Sequence, residues 1–195
     1  MNPVESAKRK IRKVIAGSRV PEDPRHAENT LEWLLKLAPT AGPALRLAAL
    51  AHDIDRAVEA RKVQRGDFAD YDAFKAAHAR NGAKILREIL NHCRVPRTIA
   101  EEACRLVTLH EVGGDAPSDL LRDADAISYF DVNLPHYFAR HGWEETRARC
   151  LWGYRRLSQK MRLRLRAFTF DDGRLTRLVQ SCFNQQEPEG GQGQT

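Results

Sequence analysis

Six side chains of the kinds that bind divalent metals recur along the first two thirds of this sequence. They are His26, the adjacent pair His52 and Asp53, His78, His110 and Asp125. Imidazole and carboxylate together ligate ions such as Mn, Fe, Co, Ni, Zn or Mg. A divalent ion brings the pKa of a bound water toward neutrality and polarises a phosphoryl oxygen, which is the chemistry of phosphoester hydrolysis. Spacing says more than residue type. His52 follows Leu45 by seven and Ala48 by four; His78 follows Phe74 by four; His110 follows Leu106 by four; Asp125 follows Leu121 by four. His26 precedes Thr30 and Trp33 by four and seven. In a helix such intervals share one face, so each ionisable group points inward with apolar neighbours. Burying these groups without partners is costly. Five helices with the same anomaly are therefore expected to converge on a shared cation.

The elements that must position these groups read as helices throughout, with no internal repeat and few strand signals. The pattern predicts a basic helix over 4–16, a helix over 23–37 opened by Asp23-Pro24, and an apolar one over 44–58. A polar connector, a candidate mobile loop, spans 61–70. Helices then run over 70–92 and 96–111, the second stopped by Gly113-Gly114. Ser118 is read as the cap of a helix carrying Asp123 and Asp125. A short helix or turn over 135–140, a long basic helix over 143–168 kinked at Gly153, and a helix over 171–183 complete the chain. The expectation is an all-α, single-domain helical bundle with a metal site in its core. Residues 1–20 form a basic N-terminal helix, 21–184 the main domain with a basic helical extension from about 143, and 185–195 a disordered tail.

The 195 residues are 42% hydrophobic and 30% charged, which excludes a disordered chain or a disulfide-stapled mini-protein. No run approaches the ~18 apolar residues of a membrane span, so no membrane partner is expected. The N-terminus lacks a secretory signal, and Cys93, Cys104, Cys150 and Cys182 stand apart with no CxxC pair. They read as reduced thiols, which places the protein in the cytoplasm. The net charge of +6 is concentrated: residues 147–166 carry eight basic and no acidic side chains, and residues 1–20 six basic against one acidic. Such segments suit a phosphorylated small molecule or, less specifically, nucleic acid. Arg155, Arg156 and Lys160 are candidates to line the mouth of a metal pocket.

The motifs DPRHAENTLEWLL, LAALAHDIDRA and LLRDADAISYF resemble those of the HD superfamily of metal-dependent phosphohydrolases, over roughly residues 25–129. The resemblance implies an all-helical HD-type fold in which His26, His52, Asp53 and Asp125 hold one ion. Asp123 is the alternative last ligand, although ADAI looks most like the family's ADxL with Asp125 as its acid. HARNGAKIL and LVTLHE are similar to stretches of the HD-GYP phosphodiesterases. This implies that His78 and His110 serve a second ion bridged by Asp53. Glu111, where those proteins carry another histidine, reads as a solvated carboxylate. Their Gly-Tyr-Pro signature is absent, so cyclic-dinucleotide specificity is not implied.

Arg56, four residues after His52, matches the lysine of the HDxGK variant. With Asp53 it is the catalytic candidate, and Arg25, Arg56, Arg80 and Lys84 are the substrate-binding ones. Members that hydrolyse nucleoside monophosphates or alarmones carry an acid where Arg56 stands. The expected activity is metal-dependent hydrolysis, by metal-bound hydroxide, of a phosphoester of a nucleotide or small phosphorylated metabolite. Two alternatives stay open. One is a nucleic-acid- or partner-binding regulatory module with a structural metal; the other is a diiron oxygenase similar to myo-inositol oxygenase.

Overall fold

Prolines and short polar side chains start the helices where turn residues give way to a helical repeat. In the computed structural model, which describes residues 2–184, α1 (Pro3–Ile15) begins as Asn2 accepts the Val4 amide at 2.9 Å. Proline also stands in the first turn of α2 (Asp23–Leu37) and α3 (Pro43–Ala51), where its missing N–H costs nothing. α4 (Tyr71–His92) is capped by Asp70, and α5 (Arg97–Leu109) follows Pro96. α6 (Ala116–Ser128) is followed by a π-helical stretch, Tyr129–Asn133, then α7 (Leu134–Arg156), α8 (Gln159–Leu165) and α9 (Gly173–Asn184). No strand occurs among the described residues. The tail expected to be disordered, 185–195, lies outside them.

The alanine-rich α3 is the hub. Leu47, Ala48, Ala49, Leu50 and Ala51 are all buried, and α1, α2, α5 and α6 pack around them. Small side chains on one helix let four neighbours approach, and burying the larger ones drives the collapse. The basic α1 joins this core through Ala7, Ile11 and Ile15. α4 packs on α5, α2 on α6, and α7 on α9.

Three local readings are corrected. The helix expected over 44–58 stops at Ala51; His52 and Asp53 form a turn, and Ile54–Ala57 is a 3-10 helix. Asp115 caps α6, not Ser118: Asp115 accepts the Ser118 amide at 2.9 Å while the Ser118 hydroxyl accepts the Asp115 amide at 3.1 Å. The basic segment is not one helix kinked at Gly153. α7 passes through Gly153 and bends at Gly142, where φ of 73° suits only glycine. It ends before Leu157, whose extended backbone leads into Ser158, the cap of α8. Gly113, also at φ 73°, closes α5 by donating to Leu109 at 2.7 Å. The four cysteines are free, and no helix of the described residues is long and apolar enough to cross a membrane.

Candidate metal centre

Because α3 and α5 end where they do, His52 and His110 are the C-caps of these two helices. The partial negative charge of both helix ends therefore lies beside the imidazoles. His26 comes from the first turns of α2, His78 from the middle of α4 and Asp125 from the last turn of α6. Their side chains meet in two abutting clusters, His26 with His52 and Asp125, and Asp53 with His78, His110 and Glu111.

In the first cluster His26 Nε2 lies 3.1 Å from His52 Nε2, and Asp125 Oδ1 lies 3.2 and 3.3 Å from these two nitrogens. Asp53 Oδ2 completes it at 3.9 and 3.8 Å. Asp53 reaches the second cluster through its other oxygen, 2.8 Å from His78 Nε2 and 3.9 Å from His110 Nε2. Glu111 Oε1 stands 3.0 Å from His110 Nε2. Asp53 bridges the two because it sits on the turn after α3, with φ −100° and ψ 16°, rather than on a helix.

The outer contacts fix which nitrogen faces inward. His52 Nδ1 donates to the Ala49 carbonyl at 2.9 Å and His110 Nδ1 to that of Val107 at 2.7 Å. His26 Nδ1 donates to Ser128 Oγ at 2.9 Å, whose own proton goes to the His26 carbonyl, and His78 Nδ1 donates to Asp55 at 2.9 Å. With these protons committed outward, Nε2 of His26, His52 and His110 presents a lone pair to the centre, as metal-bound histidines do, whereas His78 lies between two carboxylates, with Nε2 2.8 Å from Asp53 Oδ1. The first cluster then contains two nitrogen lone pairs and two carboxylate oxygens with no donor among them. Such a set repels itself unless a cation lies between. Metal–ligand bonds of ~2.1 Å require donor atoms roughly 3.0–3.4 Å apart, and the three shortest separations fall in that window.

Without an ion the imbalance would fall on His52. Burial opposes its charging, yet Asp53 and Asp125 overcome this and raise its pKa to about 9. Burial likewise opposes the charging of Asp53 and Asp125, and their cationic neighbours, Arg56 and Arg156 among them, hold both well below the usual carboxylate range.

The second cluster is balanced differently. Glu111 is buried, not solvated as its position in the sequence suggested, and pairs with Lys75 and with Arg156 at 2.9 Å. Burial opposes its ionisation, but Arg156 and Lys75 keep its pKa depressed. His110 Nε2 is buried without a hydrogen-bond partner. Both clusters have cationic neighbours, Arg56 on Asp53 and Arg156 on Asp125 in the first and Arg156 with Lys75 on Glu111 in the second. What sets the first apart is that two imidazole nitrogens and Asp125 Oδ1 face one another within 3.3 Å, spaced for a cation.

The two aspartates of α6 have separate tasks. Asp123 turns away from the cluster and accepts from the Ser158 amide at 2.7 Å and its hydroxyl at 2.5 Å, anchoring the start of α8. Asp123→Ala is expected to cost about 2 kcal/mol of stability and keep the metal, whereas Asp125→Ala empties the site. Metal analysis with thermal melts checks this, and an Asp123 variant lacking metal would reverse the assignment.

A cavity of about 500 Å³ opens over the cluster, with His26, Asp53, His78 and Asp125 in its wall. Arg56 lines it, donating to Asp53 at 3.0 Å and pairing with Asp23 at 2.9 Å. Arg156 lines it too, 2.8 Å from Asp125 Oδ2. Arg25, Arg80 and Lys84 do not line it. All three are exposed, and Arg25 is engaged by Glu32 at 2.8 Å. Arg155 and Lys160 are exposed as well. Nothing in the sequence showed that Asp55, which also accepts from Asn81, orients His78. Nor did anything mark Arg149 beyond its place seven residues before Arg156 on one face of α7.

Fold and site together define an all-helical protein whose histidines and aspartates are positioned to hold a metal ion beneath a cation-lined cavity. The chain belongs to the family described as a domain of unknown function, DUF4202, which it matches over residues 5–179. Among curated proteins and among solved structures, nothing matches it.

Proposed function

We propose that the protein is an HD-type metal-dependent phosphohydrolase that cleaves a phosphoester of a small phosphorylated molecule. The observation that carries this reading is the convergence of His26, His52, Asp53 and Asp125 beneath a cavity lined by Arg56 and Arg156. The resemblance of the DPRH, HD and RDAD segments to the HD superfamily supports it. A divalent ion, which these four residues would hold, would supply a hydroxide nucleophile near neutral pH and polarise the phosphoryl oxygen.

The chain's own residues do the rest. Asp53 and Asp125 would help hold the ion. Asp125 gives its other oxygen to Arg156, and Asp53 Oδ2, the oxygen that faces His26 and His52, also accepts from Arg56, so both arginines are fixed at the edge of the site. Their unshared N–H groups can receive the phosphoryl oxygens as negative charge grows in the transition state. His78, held between Asp53 and Asp55, stands where it can hold or pass a proton at Nε2. Cations around the cavity favour a phosphorylated substrate over the neutral one that an oxygenase would take.

Incubating the purified protein with Mn(II) and a panel of phosphomonoesters and phosphodiesters is expected to release phosphate or alcohol. Arg56→Ala lowers kcat/KM by about 10²-fold while metal content stays at the wild-type level. No turnover of any panel member by a fully metal-loaded protein would overturn the catalytic reading.

A further inference from the structure

The cations lining the cavity differ in one respect. Arg56 is paired with Asp53 and Asp23, Arg156 with Asp125 and Glu111, Lys75 with Glu111, and Arg140 with Glu22. Arg19 lies 3.6 Å from Glu59. Arg149 alone, among the described residues that line the cavity as cations, has no carboxylate. Its guanidinium donates to the Tyr71 hydroxyl and is otherwise enclosed by rings, with Tyr71 at 4.9 Å, Trp152 at 5.0 Å and Tyr129 at 5.7 Å.

A box of this kind holds the planar group by cation–π attraction and limits its conformations, but it leaves the charge uncompensated. Burial, with Arg56 and Arg156 nearby, lowers the Arg149 pKa to about 10, a measure of how poorly the charge is balanced. A cation kept in an apolar enclosure without a counter-charge is unfavourable unless an anion arrives. Position narrows what that anion is. Arg149, Trp152 and Arg156 follow one another along the cavity face of α7. Seven residues of helix separate the two arginines by ~10 Å along the axis. Arg156 touches the metal-ligand carboxylate Asp125, so it belongs to the scissile end of the cavity, and Arg149 stands beyond it.

We propose that Arg149 is the binding site for a second phosphate, so that the substrate is a small molecule bearing two phosphate groups, one at the metal cluster and one in the aromatic box. A guanidinium fork matches two phosphate oxygens at once. Approach of the phosphate completes the ion pair that the chain does not supply. This inference rests on the reading of the cavity as a substrate site.

The test uses probes whose P–C bonds cannot be hydrolysed, so it does not depend on turnover. Metal-loaded protein is titrated calorimetrically with methylphosphonate and with alkylene bisphosphonates of one-, three- and five-carbon spacers, free metal having been removed. Wild-type protein is expected to bind the best-spanning bisphosphonate at least about ten-fold tighter than methylphosphonate, the worth of one charge-assisted contact. Arg149→Gln abolishes that preference without changing methylphosphonate affinity or metal content, and Arg149→Lys, which keeps the charge, retains part of it.

No preference in the wild type, or an undiminished one in Arg149→Gln, overturns the proposal. If Arg149→Gln does not fold, an Arg149→Lys variant with unaltered preference and a wild type without one still decide it. A preserved preference in a protein that turns over no phosphoester would remove the catalytic reading and leave the anion site standing.

Discussion

Asp53→Ala is expected to abolish phosphoester hydrolysis, by at least about 10³-fold in kcat, and to strip the protein of its metal. Asp53 is the carboxylate that reaches both clusters, 3.8–3.9 Å from the nitrogens of His52 and His26 through one oxygen and 2.8 Å from His78 through the other. Its loss takes one of four donors from the first cluster and the bridge to the second. The fold should survive, because Arg56 keeps Asp23 and His78 keeps Asp55. Asp53→Asn separates charge from shape: it retains the side-chain volume but not the second negative charge, and should resemble Ala in metal content. Metal analysis, circular dichroism and a turnover assay on one preparation check the prediction. Wild-type turnover in a folded Asp53→Ala protein would refute it.

The second large effect concerns stability. An ion that binds only the folded chain stabilises it by about 2.7 kcal/mol at a free concentration 100 times Kd. For a domain of this length chelation should therefore lower Tm by roughly 5–11 °C. The pH dependence should change sign as well. Without the ion, His52 is the group that neutralises the cluster, and its folded pKa of about 9 exceeds the ordinary value of 6.5. A raised pKa contributes stability that is complete below 6.5 and lost as pH rises to 9. The metal-free protein should thus weaken across that window. The loaded protein should hold or gain stability there, because its ligands bind best when deprotonated. Melting curves at several pH values, with and without chelator, measure both. Equal Tm values in the two states would count against a cation in the core.

The helical period made much of this legible in the sequence. Intervals of four and seven residues placed His26, His52, His78, His110 and Asp125 on inward faces, and the structure brings them together. A period does not reveal where a helix stops. The repeat over 44–58 continues in phase past Ala51, so the turn that frees Asp53 to bridge was hidden. Asp123 and Asp125 are two residues apart, about 200° around a helix, and only the packing of α8 shows which faces the histidines. Glu111 looked solvated because a charged residue at a helix end usually is. Its burial follows from Lys75 and Arg156, which are distant in sequence. Arg25, Arg80 and Lys84 lie close in sequence to His26 and His78 but on exposed faces, so proximity along the chain misled. Beyond its interval of seven from Arg156, Arg149 carried no signal, since being uncompensated depends on what every neighbouring element fails to supply.

Whether His26, His52, Asp53 and Asp125 surround a cation is tested most directly by elemental analysis of the purified protein. Wild-type protein should carry at least one divalent ion per chain, and His52→Ala, folded by circular dichroism, should carry none. A wild-type protein that stays metal-free when Mn, Fe, Co, Ni, Zn and Mg are each supplied, or a His52→Ala protein that retains a full complement, would contradict that arrangement.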